Sequence, residues 1–292
     1  MDLFAQLLVN GVIAGSLYAL VACSFGLILG TTGTFHFAHG VVYAAGAYGT
    51  YFAASRGLPL WAAAAAGIAG AALLGILIEL IVYRPLRKIS ASPLVILIAS
   101  LGTLIVLENA IAIAFSTDAK VLEGFPRKGV IVGGVGFTTL HVTMVAVSLV
   151  AFAGLLAFLH WTRTGRAIRA VATSPEMAEI VGIDTGRVFL LVFAIGSAMA
   201  APAAILIMMD RGGTPDMGME AILIAAIAVI VGGIGSVPGA ALGALIIGVA
   251  QNLGVMKIPS EWQAAIAFGV LLVVVILRPH GLLGKKLKKA EI

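Results

Sequence analysis

Two histidines, His36 and His39, lie three residues apart in Thr31-Thr-Gly-Thr-Phe-His-Phe-Ala-His-Gly40. That spacing puts both on one face of a helix, where two imidazoles serve as half of a metal site or as a hydrogen-bonding pair. No third His, Cys or carboxylate is close in sequence, and a bound metal takes at least three protein ligands as a rule, so no metal is expected. The two rings either bond to backbone in an interfacial loop or line a pathway. A second candidate is Val231-Gly-Gly-Ile-Gly-Ser-Val-Pro-Gly239. Gly233-x-Gly235 begins like a phosphate-cradling loop but lacks the third glycine and lies in an apolar run, so nucleotide binding is not expected. Glu79 and Glu108 stand in or at the ends of apolar stretches, where an unpaired charge costs several kcal/mol. Glu79, one turn from Tyr83-Arg84-Pro85, predicts an interfacial ion pair. Glu108, beside Asn109, and the pair Gln251-Asn252 read either as helix–helix hydrogen bonds or as pathway contacts. The sequence holds no Gly-x4-Gly-Lys-Ser/Thr and no His-Glu-x-x-His. An enzyme is therefore not expected, and uphill transport would draw on an ion gradient or on a partner that hydrolyses ATP.

The elements that hold these residues are membrane helices. Of 292 residues, 61% are apolar, 36 are glycine and only 11% are charged, against about 25% in a soluble domain. Too few polar side chains are present to cover a soluble surface. The net charge of +5 reads as basic loops against anionic lipid rather than as a nucleic-acid surface. The one cysteine, Cys23, excludes a disulfide framework. Residues 3–55 carry no Lys, Arg, Asp or Glu, enough for two spans of about 20 residues. Cutting at Gly, Pro and polar clusters predicts helices near 3–30, 36–54, 58–83, 92–115, 140–160, 188–209, 221–234, 238–254 and 262–278. The expected fold is an all-α, polytopic transmembrane helical protein of about eight or nine segments, one domain over 1–292, including short or broken helices. The segment 221–234 spans about 21 Å at 1.5 Å per residue, too short for a core of about 30 Å. It is tilted, re-entrant or half of a broken pair. With Asp2 in place of a basic n-region, the opening stretch is expected to stay as the first membrane helix.

Lys and Arg set the orientation. Arg84, Arg87 and Lys88, then Arg163, Arg166, Arg169 and Arg187, then Arg278, Lys285, Lys286, Lys288 and Lys289 form three clusters. On one side they make 12 basic residues, leaving 6 on the other: Arg56, Lys120, Arg127, Lys128, Arg211 and Lys257. Nine crossings then put the N-terminus outside and the C-terminus inside. If 36–54 is re-entrant, the N-terminus moves inside. Two polar stretches interrupt the spans. The outer, 116–139, reads as an external loop with a possible hairpin. The inner, 163–187, holds a short helix from Pro175 to Val181, N-capped by Ser174 and stopped at Gly182. A capped helix between two spans lies along the membrane face, shaped to be touched.

Taken together, these stretches resemble the inner-membrane permeases of branched-chain amino acid ABC importers, most closely the H-type of the two permease subunits. The likeness runs through Asn10-Gly11-x3-Gly15-Ser16-x-Tyr18-Ala19-Leu20, Phe37-Ala38-His39-Gly40 with Ala47-Tyr48, and Tyr83-Arg84-Pro85-Leu86-Arg87. It continues in Gly165-Arg166-Ala167-x-Arg169-Ala170-Val171-Ala172, Gly182-Ile183-Asp184-x2-Arg187-Val188, and Gly232-Gly233-Ile234-Gly235-Ser236-x-Pro238-Gly239. The resemblance implies a bacterial inner-membrane subunit without a cofactor. Its implied partners are a second homologous permease, two cytoplasmic ATP-binding subunits and an external solute-binding protein. It also implies that 163–187 docks into the ATPase through a Glu-Ala-Ala…Gly pattern, matched here by Glu176-Met177-Ala178-x3-Gly182, with Arg166 and Arg169 flanking it. The expected substrate pathway includes His36, His39, Gly40, Glu108, Gly232, Gly233 and Gly235. His36 stands where the family more usually has Asn, which keeps urea, short amides and organic acids open as cargo beside the branched-chain amino acids. An ion-coupled secondary transporter would carry more embedded carboxylates. Outer loops 116–139 and 210–220, with Asp210, Arg211, Asp216 and Glu220, are expected to receive the binding protein.

Overall fold

The computed structural model describes residues 2–284. Lys285, Lys286, Lys288 and Lys289, four of the residues counted for the basic side, lie outside the described residues. The chain runs α1 (Asp2–Thr32), α2 (His39–Ser55) and α3 (Leu60–Ile78). A π turn, Glu79–Tyr83, carries α3 into α4 (Arg84–Lys88) as one continuous rod. Then follow α5 (Pro93–Phe115), a hairpin of β1 (Gly129–Val132) and β2 (Val135–Thr138), and α6 (Thr139–Trp161). After α7 (Arg163–Thr173) and α8 (Pro175–Ile180) come α9 (Thr185–Asp210), α10 (Met217–Gly232), α11 (Val237–Gly254) and α12 (Gln263–Leu277). Local chemistry sets the starts: Ser92 caps α5 ahead of Pro93, Thr138 and His141 form a capping box on α6, and Ser236 caps α11 ahead of Pro238.

Among the described residues seven helices are long and apolar enough to cross a membrane, and α10 is a shorter apolar helix beside them. The most apolar window of α1 is 78% buried, whereas that leading into α12 is 6% buried. The first therefore sits at the centre, and the second presents its apolar side chains to lipid or to another chain. Three basic segments share one face. Arg87 stacks on Phe189 at the start of α9, which joins 84–88 to the α7–α8 segment. The chain after Arg278 returns to the end of α10, with Leu282 N–H donating to Val231 O at 2.9 Å and Leu283 N–H to Gly232 O at 2.8 Å. The hairpin lies at the other face, where Gln6 bonds both the N–H and the C=O of Gly136, each at 2.8 Å.

Two helices begin inside the protein. The chain leaves α1 at Thr32, and residues 33–38 climb back so that His39 at the start of α2 meets Ser24, about 12 Å from that end at 1.5 Å per residue. The first turn of α10 abuts that of α2 so closely that a Cβ on Gly218 would strike the carbonyl of Gly40. Irregular backbone at membrane depth is tolerated only within protein or along a cavity, and both conditions hold here. Compared with the sequence-based boundaries, α2 starts at His39 rather than at residue 36, and α10 starts four residues before 221. Glu220, at which the apolar run was cut, lies in the first turn of α10, where the helix dipole favours a carboxylate. The stripe of small residues packs as a seam: Gly239 lies on Gly232 and Gly243 on Ala228.

Candidate functional site

A polar knot closes the break between α1 and α2. Ser24 donates its hydroxyl to Val21 O at 2.8 Å, so its oxygen must accept from His39 Nε2, also 2.8 Å away. Tyr83 donates to Ser100 Oγ at 2.7 Å, so the 2.7 Å contact between its oxygen and His36 Nδ1 has the ring nitrogen as donor. Ser100 Oγ also accepts the free N–H of Ala38 at 3.0 Å. Each imidazole thus needs only one N–H, and its other nitrogen, His36 Nε2 or His39 Nδ1, has no partner among the described residues. The two rings are 5.4 Å apart between centroids, with Phe193 edge-on to His36 at 5.0 Å. Both histidines, Ser24, Ser100 and Tyr83 are fully buried. The knot ties α1, α2, the π turn, α5 and α9 together at the point where the chain lacks helical hydrogen bonds. Below it Glu79, also buried, is held by Arg87, whose guanidinium lies 4.7 Å over Phe189.

A cavity of about 660 Å³ opens toward the hairpin face, between α1, α2, α9 and α10. The connection Arg211–Asp216 descends into it, fixed where Gly213 O accepts from Tyr48 at 3.1 Å and from Lys120 N–H at 3.0 Å. Arg211, Asp216, Glu220 and Glu108 line the cavity with the phenols of Tyr18 and Tyr43. Leu17, Val21, Ile207 and Ile224 supply apolar wall. None of the four charged side chains has an ion-pair partner within 4.0 Å among the described residues. A neighbouring cavity of about 360 Å³ shares Glu108, Thr214 and Asp216. Mixed charge, phenols and branched apolar walls suit a small solute with polar and apolar parts.

At the basic face, Thr162 caps α7 through Gly165 N–H at 2.9 Å, and Ser174 caps α8 through Met177 N–H at 3.3 Å. The exit from α8 is a Schellman turn, with Gly182 N–H on Glu179 O and Ile183 N–H on Ala178 O, each at 2.9 Å. Gly182 takes φ +85° there, a backbone that L side chains rarely adopt. Ala178 is buried as the anchor, whereas Met177, Ile180 and Val181 are 64%, 76% and 75% exposed. Arg166, Arg169 and Glu176 are exposed alongside. The short helix ends one residue earlier than the sequence suggested.

The residues singled out from sequence fall in three places. Glu108 lines the outer cavity. His36, His39 and Gly40 are buried beneath it in the knot and the α2–α10 contact. Gly232, Gly233 and Gly235 lie at the basic face, with Gly232 and Gly233 packed against 280–284. Sequence reasoning passed over Tyr43, Ser24 and Ser100 and gave no site role to Tyr18 and Tyr83, which it met only within the family-like stretches, because single Ser and Tyr residues in apolar runs carry no spacing signal. It placed Arg211, Asp216 and Glu220 in an outer loop without seeing that the loop folds inward.

Comparison with known proteins agrees with this architecture. Residues 7–275 match the family described as branched-chain amino acid transport system / permease component. The high-affinity branched-chain amino acid transport system permease protein BraD of Pseudomonas aeruginosa is 36% identical over 97% of this chain and 96% of its own length. The corresponding permease protein LivH of Escherichia coli K12 is 34% identical over the same shares of both chains. Among solved structures, PsaBC from Streptococcus pneumoniae in complex with Fab aligns with a TM-score of 0.53 at 16% identity, over 93% of this chain and 91% of that one. At that identity the likeness speaks for the fold alone. Seven apolar helices and relatives of this kind make the chain a multi-pass protein of the bacterial inner membrane. It belongs to the branched-chain amino acid transport permease family.

Proposed function

We propose that this chain is one of the two permease subunits of a high-affinity importer for branched-chain amino acids, working as a single domain over 1–292. It pairs with a second homologous permease, two cytoplasmic ATP-binding subunits and an external solute-binding protein. Solute released outside enters the cavity beside Glu108, and the loops 116–139 and 210–220 receive the binding protein. The face with Arg84–Lys88 and 163–187 is cytoplasmic, in line with the excess of basic residues there.

The observation that supports this reading best is α8. Three large apolar side chains, Met177 and Ile180 on a six-residue helix and Val181 at its C-cap, stand out from a segment that is capped at one end and turned sharply at the other. Exposed apolar groups on a braced helix mark a protein contact. Glu176, Arg166 and Arg169 ring it with charge, and buried Ala178 carries force from it into the neighbouring helices. Gly182→Val tests the assignment. A branched residue at φ +85° costs on the order of 1–2 kcal/mol of backbone strain, which would misdirect α8 without touching the spans. In membrane vesicles containing all subunits, the variant is expected to insert at normal levels and to lose ATP-dependent leucine uptake. Wild-type uptake by Gly182→Val would sink the coupling role.

A further inference from the structure

We propose that the outer cavity grips an α-amino acid by its two charged ends, Arg211 taking the carboxylate and Glu220 the ammonium. The proposal rests on the reading of the chain as an amino-acid permease and assigns the site within it.

Arg211 ends the connection from α9, and Glu220 lies in the first turn of α10. Both line the same cavity. Both lie near enough to Tyr18 and Tyr43 to act on those phenols electrostatically. Arg211 and Glu220 are both solvent-exposed, so each keeps its hydration rather than being sealed against the other. They stay more than 4.0 Å apart and have no other ion-pair partner among the described residues. A cavity lined by a cation and an anion that are not paired with each other complements a zwitterion: the ligand supplies both counter-charges at once. A guanidinium offers a planar fork that matches a carboxylate with two parallel hydrogen bonds. Glu108 and Asp216 lie at the boundary with the smaller cavity. Leu17, Val21, Ile207 and Ile224 form apolar wall in the same cavity, a surface for a branched aliphatic side chain. A volume of about 660 Å³ leaves room for hydration water beside the solute, as a waystation requires, since a passing solute must also leave.

The test uses the assembled transporter in lipid nanodiscs, without the solute-binding protein, and measures equilibrium binding of radiolabelled leucine. Unlabelled leucine should displace the label, whereas leucinamide, which lacks the carboxylate, and 4-methylpentanoate, which lacks the ammonium, should not. Arg211→Gln and Glu220→Gln should each weaken binding about tenfold to a hundredfold, the value of one hydrogen bond to a charged group. Arg211→Lys should recover part of that loss, which a merely misfolded site would not do. Lys257→Gln, on the exposed turn after α11, should bind as wild type. If Arg211→Gln and Glu220→Gln bind leucine like the parent, or 4-methylpentanoate competes as well as leucine, the grip is wrong. Leucine uptake by the complete wild-type system with no binding in nanodiscs overturns this site alone. No uptake of any branched-chain amino acid by the complete system overturns the amino-acid reading, and this proposal falls with it.

Discussion

Glu79 and Arg87 permit a sharp test of how the first half of the bundle is held. Glu79 is 1% exposed and Arg87 23%, so removing one partner strands the other in a region poor in water. Loss of one member of a buried pair costs about 3–5 kcal/mol, whereas replacing both by apolar groups is often neutral or stabilising. Two details favour the second outcome here. Glu79 Oε2 and Arg87 Nη1 have no hydrogen-bond partner among the described residues, so desolvation is incompletely offset. The cation also rests on Phe189, a surface that a methionine would cover equally well. Arg87→Met alone should therefore be the most damaging change, and Glu79→Gln milder, since it leaves a neutral amide beside a cation that is 23% exposed and rests on Phe189. Glu79→Leu with Arg87→Met should return close to wild type. At about 2–4 °C per kcal/mol for domains approaching this size, the single Arg87 variant should lose on the order of 10 °C in apparent Tm. The assay is the fraction of detergent-solubilised protein that stays monodisperse after heating, read as a double-mutant cycle closed by the single Glu79→Leu variant. Equal Tm for Arg87→Met and wild type, or a double variant as poor as the sum of its singles, would refute the argument.

Two further changes probe the interior. Ser100→Ala removes the acceptor used by Tyr83 and by Ala38 N–H. At about 1–3 kcal/mol per stranded buried donor, it should cost more in the same heating assay than Tyr83→Phe, which keeps the Ser100–Ala38 bond; a smaller loss for Ser100→Ala would refute the knot as drawn. Gly218→Ala places a methyl against the Gly40 carbonyl, an overpacking that should cost about 1–3 kcal/mol and lower leucine uptake, while Gly70→Ala, in open space on α3, should alter neither.

The sequence discloses the spans because lipid imposes a strong, simple rule: long uncharged runs become helices. The predicted helices accordingly find counterparts from α1 to α12. Where the boundaries move, a local term outweighed the pattern. Residues 36–38 leave the helix because the N–H of Ala38 goes to Ser100, a residue distant in sequence. Met217–Glu220 join α10 because a carboxylate is favoured at a helix start, whereas a hydropathy pattern treats it as an end. Glu79 was expected to pair with its own neighbourhood, and the partner proves to be Arg87, brought round by the π turn and α4.

The capped helix at 174–182 was readable because each of its signals is local: a serine, a proline, a glycine at set offsets. The cavity was not, because it is made by an inward fold. Arg211 and Asp216 follow a long apolar helix, and in one dimension that is the signature of an outer loop. Tyr48 of α2 and Lys120 of the outer loop, both far along the chain, fasten Gly213 and hold the connection at the cavity. In a protein with 11% charged residues, four ionisable side chains line one opening without an ion-pair partner among the described residues, and Arg211, Asp216 and Glu220 among them are solvent-exposed. That exposure keeps them hydrated and also makes them available to a charged solute. A permease that merely needed an outer loop could have joined these charges in ion pairs, as Asp184 and Arg187 are paired at 2.9 Å on the opposite face. The open charges at Arg211 and Glu220 are the stronger guide to where solute passes, and the buried histidines, already spent on Ser24 and Tyr83, are the weaker one.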